Sequence, residues 1–130
     1  MGIDCYLVNP DSGELHAEET GQRDRMGFNT LSGDAGYLRE AYHGGPYATH
    51  VLLEEGWNDG DIDDKGNFSL PASTLRNRLS ETLEAAAIRN KSLYSGQDEE
   101  GVLESFKDFV ALAEKLEEKN GKPCKFHVSY

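Results

Sequence analysis

"EEGVLESFKDFVALAEKLEEKNGKPCKFHVSY", residues 99–130, holds a helix, its stop signal and a strand in one run. Val102, Phe106, Phe109, Val110, Ala113 and Leu116 recur at three- and four-residue spacing, which predicts one buried helical face, widened by Leu103 and Leu112. Asp98, Glu99 and Glu100 stand at its start and Lys119 at its end, the arrangement a helix dipole favours. Asn120-Gly121 followed by Pro123 then stops it. Beyond the stop, Cys124, Phe126, Val128 and Tyr130 alternate with Lys125, His127 and Ser129, the pattern of a strand with one buried face. Such a strand carries backbone N–H and C=O groups that need partners, so the rest of the chain must supply a sheet.

Working back from that strand, Ala72, Leu75, Leu79, Leu83 and Ala86 predict a second long helix, opened by Pro71 and running to about Ser92. Ile88 falls on its polar side. At the N-terminus, Ile3, Cys5 and Leu7 alternate with Asp4, Tyr6 and Val8, and "NPDSG" supplies turn residues. "ELHAEE" then reads as a returning strand, so residues 2–19 are expected to form a hairpin that receives the C-terminal strand. Residues 20–33 lack a period and read as a long connection. Asp34 is placed to cap a short helix, Ala35–His43, stopped by Gly44, Gly45 and Pro46. Residues 47–56 group Ala48, Val51 and Leu52 as a helix, or Thr49, Val51 and Leu53 as a strand; we read them as helix. The expected fold class is α+β. It is a small antiparallel or mixed sheet, N-terminal hairpin plus C-terminal strand, packed against two long amphipathic helices and one or two short ones, in a single domain of 130 residues.

Charge is distributed unevenly. Of the net −11, residues 1–65 carry 14 Asp/Glu against 4 Lys/Arg. Glu54, Glu55, Asp59, Asp61, Asp63 and Asp64 crowd into one short stretch. A negative field of this kind repels phosphate backbones and suits a partner with a basic surface, so direct nucleic-acid binding is not expected. No apolar run reaches membrane-spanning length and no signal-peptide pattern opens the chain, so a soluble, cytoplasmic protein is expected. Cys5 and Cys124 read as ordinary free thiols.

"GDAGYLREAYHGGPYATHVLLEEGW", residues 33–57, concentrates three tyrosines, two histidines, an arginine and the sole tryptophan. On a helix, Tyr37, Leu38, Ala41 and Tyr42 share an arc and read as buried packing. Arg39 and His43, four residues apart, share the polar edge beside the glycines. Tyr37, Arg39, Tyr42 and His43 are therefore the candidate ligand-binding corner, suited to an anion. The plainer alternative for this edge is a solvated one, with Glu40 in a local ion pair.

"GYLREAY", residues 36–42, resembles the Gly-Tyr-(Leu/Phe)-Arg-x-(Ala/Ser)-Tyr segment of small bacterial and phage proteins of unknown function. Those proteins also have a later amphipathic helix and a short terminal strand, to which residues 106–130 are similar. The resemblance implies no particular activity; it marks Gly36, Tyr37, Arg39 and Tyr42 as positions to mutate.

Other chemistries find little footing. "DGDIDDKGNF", residues 59–68, has the acidic spacing of a calcium loop, but Asp64 stands at the required glycine and Leu70 at the closing glutamate. Started at Asp61, the loop places Lys65 at a ligand position and Ala72 at the end. No CxxC or HxxxH spacing suggests zinc, and no nucleophile elbow or phosphate loop is present. No catalytic residue, metal or cofactor is assigned. The expected function is a non-enzymatic, acidic protein-interaction module, such as a phage or bacterial accessory or inhibitor protein, steered by Glu54, Glu55, Asp59, Asp61, Asp63 and Asp64. The alternative is a small anionic-ligand binder or enzyme using Arg39, Tyr42 and His43.

Overall fold

A computed structural model describes residues 2–13, 36–41, 47–59, 62–63, 66–94 and 99–129. The elements run β1 (Gly2–Val8), β2 (Tyr37–Ala41), α1 (Ala48–Asp59), β3 (Phe68–Ser69), α2 (Ala72–Tyr94), α3 (Glu99–Asn120) and β4 (Lys125–Ser129). The four strands form one antiparallel sheet in the order β2-β1-β4-β3. This is the α+β class the sequence predicts, with two long helices and one short one.

The C-terminal strand lies against β1, with Cys5 opposite Val128 and Leu7 opposite Phe126. On the other side of β1 runs β2, with Cys5 opposite Leu38 and Asp4 opposite Arg39. The helix expected over Ala35–His43 is therefore corrected: its described part is strand β2. The expected return strand over residues 14–19 lies outside the described residues, and the antiparallel partner that follows β1 is β2.

The interior explains these elements. Cys5, Leu7, Leu38, Phe68 and Phe126 from one sheet face join the helices in a single core. Phe126 sits between Phe68 and Phe109, with ring centroids 6.0 and 6.1 Å away. From α2 come Ala72, Leu75, Leu79 and Ala86, and from α3 Val102, Phe106, Phe109, Val110 and Ala113, matching the predicted stripes. Ile88 is 63% exposed, so it contributes nothing to this core. At the end of α3, Gly121 adopts a φ of 70° and its N–H donates to the Glu117 carbonyl at 2.8 Å, the left-handed cap the sequence promised.

Two helices are started from a distance. Tyr47 stands just before α1, and its carbonyl accepts the N–H groups of His50 and Val51. The capping acceptor is instead the Glu40 carboxylate, which takes the Ala48 N–H at 3.0 Å and the Thr49 N–H at 2.6 Å. Likewise the Ala72 N–H of α2 faces the Glu117 carboxylate of α3 at 3.3 Å.

Candidate functional site

Strand β2 alternates its side chains between two surfaces, so neighbours in sequence work on opposite sides of the sheet. Tyr37 and Arg39 point away from the helices, whereas Leu38 and Glu40 point into them.

On the face away from the helices, Asp4 stands opposite Arg39. Arg39 Nη1 donates to Asp4 Oδ1 at 3.2 Å, and the Tyr37 hydroxyl donates to the same oxygen at 2.5 Å. Tyr6, opposite Tyr37 in register, stacks on it with centroids 4.9 Å apart and an interplanar angle of 18°. Both rings are buried, at 1% and 4% exposure. Across β4, the tilted ring of His127 lies 6.3 Å from that of Tyr6, and its Nδ1–H donates to Asn67 Oδ1 at 2.8 Å. The structure thus places Tyr37 and Arg39 on one face of a strand, where the helical reading had set them on opposite sides, and Asp4 lies between them. Tyr42 and His43 lie outside the described residues.

Electrostatics on this face favour fixed hydrogen bonds over reactivity. Burial and then the bond to Asp4 push the Tyr37 phenol up, so it stays a donor. Arg39 is held above its ordinary value: burial works against its charge, but the Tyr37 hydroxyl and the Asp4 carboxylate outweigh burial. Its Nε is buried, with no hydrogen-bond partner among the described residues. In the core on the other side of the sheet, burial also raises both thiols, Cys5 with help from Asp4 and Glu40, Cys124 with help from Glu117. Phenol and thiols are thus shifted toward neutral forms, the reverse of what activates a nucleophile.

On the helix-facing side sits a polar node that sequence reasoning missed. Glu40 is 0% exposed. Besides capping α1, it accepts the Thr49 hydroxyl at 2.5 Å and has Arg89 Nε of α2 at 3.2 Å. The Arg89 guanidinium also lies 4.8 Å above the Tyr47 ring, against which His50 packs edge-on at 5.4 Å. Burial pushes the Glu40 carboxyl up, opposed by the Thr49 and Ala48 donors and by Arg89. Burial likewise lowers His50. The reading of Glu40 as a solvated edge residue is corrected: one carboxylate ties β2, α1 and α2 together. The available signal was its two-residue offset from Leu38, which puts both on one face of a strand.

The acidic stretch is divided in use. Glu54 and Glu55 are exposed on α1, and Glu54 pairs with Arg78, which also donates to the Val51 carbonyl at 3.0 Å and lies 3.6 Å from Glu81. Asp63 is structural: Oδ1 accepts the Asn67 N–H at 2.9 Å and Oδ2 pairs with Lys125 at 3.0 Å. Asp59 ends α1, while Asp61 and Asp64 lie outside the described residues. Among the described residues no group of three or more His, Cys, Asp or Glu side chains is arranged to hold a metal ion, and no helix is long and apolar enough to cross a membrane. No family model, curated protein or solved structure matches this chain.

Proposed function

We propose that this chain is an acidic protein-interaction module, of the accessory or inhibitor kind, whose partner presents a basic surface. One observation supports the reading. Arg39 and Arg78 each pair with a carboxylate of the same chain, Asp4 and Glu54, while the chain as a whole carries −11. A surface of this charge accelerates encounter with a cationic partner and makes binding sensitive to salt. The test is capture of a partner from native lysate, followed by a salt titration of the isolated pair. Binding is expected to weaken with salt and to fall when Glu54, Glu55, Asp59, Asp61 and Asp64 are neutralised together, with Asp63 left intact because Lys125 and Asn67 depend on it. Binding indifferent to both changes contradicts the proposal.

A second reading has one observation of its own. The buried Arg39 Nε has no hydrogen-bond partner among the described residues, a donor beside Tyr37 that a small anion would satisfy. On that reading, a nucleotide or sugar phosphate raises the melting temperature of the native chain. Arg39→Ala then erases the rise without unfolding the protein.

A further inference from the structure

The C-terminal end of α3 carries a chemistry that the proposed interaction surface does not use. Asn120-Gly121 is the sole Asn-Gly step in the sequence. In such a step the following backbone nitrogen can reach the asparagine side-chain carbonyl, because glycine has no Cβ to obstruct the approach. Gly121 is exposed, with open space where a Cβ would stand, and Asn120 beside it is half-buried. One contact does restrain it: the Gly121 N–H is held by the Glu117 carbonyl at 2.8 Å, with the residue in the left-handed region at φ 70°.

We propose that Asn120-Gly121 is a self-modification site gated by the C-cap of α3. The Gly121 nitrogen, its proton lost to hydroxide, bonds to Asn120 Cγ. The Cγ–Nδ2 bond breaks and the side-chain nitrogen leaves as ammonia, giving a succinimide. Water then adds to either imide carbonyl, opening the ring to aspartate or isoaspartate. The net change is asparagine plus water to an acid plus ammonia. The nucleophile is the atom engaged in the cap, so reaction requires the last turn to open first. Helix ends open locally at low free-energy cost, and the rate of modification reports that opening.

The product acts on the fold through charge and backbone length. A carboxylate at position 120 sits at the negative end of the helix dipole, where it is disfavoured. Isoaspartate also adds a backbone methylene between α3 and β4, the strand paired with β1.

The test incubates the intact folded chain and a synthetic peptide of residues 115–125 side by side at mildly alkaline pH, with peptide mapping by mass spectrometry. Asparagine-to-acid conversion is expected at Asn120 ahead of every other asparagine, about ten-fold slower in the folded chain than in the peptide. Urea below the unfolding transition should narrow that gap. Equal rates in chain and peptide overturn the gating, and earlier conversion at another asparagine overturns the site. Asn120→Gln, which lacks the five-membered ring closure, should remove the modification while the melting temperature stays close to that of the parent.

Discussion

Two arginine–carboxylate pairs flank β2, one on each side of the sheet, and they do different work. Asp4 and Arg39 are directly opposite each other on adjacent strands, partly exposed, with Tyr37 sharing the carboxylate. Glu40 and Arg89 meet in the interior, on elements far apart in sequence, with the α1 N-terminus completing the carboxylate's bonds. A partly solvated pair gains little, because water competes for both ions. A buried pair also gains little over apolar packing, yet losing one member strands the other charge in the core. The lesson is asymmetric: the inner pair is costly to break, and the outer pair, partly exposed, is cheaper to lose.

The contrast is sharpened most by removing the inner carboxylate. Glu40→Ala leaves Arg89 without its counter-ion and α1 without its cap, and should cost about 3–5 kcal/mol in denaturant unfolding. Gly56→Ala is next, and tests the inner side without touching charge. A Cβ there would lie 2.4 Å from the Phe68 ring, itself packed on Phe126, so about 1–3 kcal/mol of overpacking is expected. On the outer side, Asp4→Asn keeps an acceptor for Tyr37 and Arg39 and removes only the charge, for a loss of about 1 kcal/mol.

The smallest effect belongs to the exposed Arg76–Glu114 pair on α2 and α3. Arg76 holds the Glu114 carboxyl below its ordinary value. Its contribution is therefore complete above the ordinary carboxylate range and is lost as pH falls through the folded-state value. The small stability difference between the parent and Glu114→Gln should close on acidification, as thermal melts across that range would show.

The difference between the two sides also explains what the sequence revealed. The long helices and the closing strand were legible because their periodic apolar residues enter one core and their stops are local, as at Gly121. β2 was not, because an acid occupies a core position. Leu38 and Glu40 share the inner face, so a strand's alternation of apolar and polar residues disappears, and the remaining tyrosines fit a helical arc. The start of α1 was equally hidden, since its cap comes from Glu40 and not from the residues beside it. Tyr37 and Arg39 were singled out by residue type, but on a helical arc that set them on opposite sides; only the strand puts them on one face. Asp4, which neutralises Arg39, became evident only through strand register.

The most direct test is a pair of double-mutant cycles measured by urea unfolding under one condition, Glu40→Gln with Arg89→Met and Asp4→Asn with Arg39→Met. The division of labour across β2 predicts a coupling of about 2 kcal/mol or more for the inner pair and below about 1 kcal/mol for the outer. Equal couplings, or a larger one between Asp4 and Arg39, would contradict it.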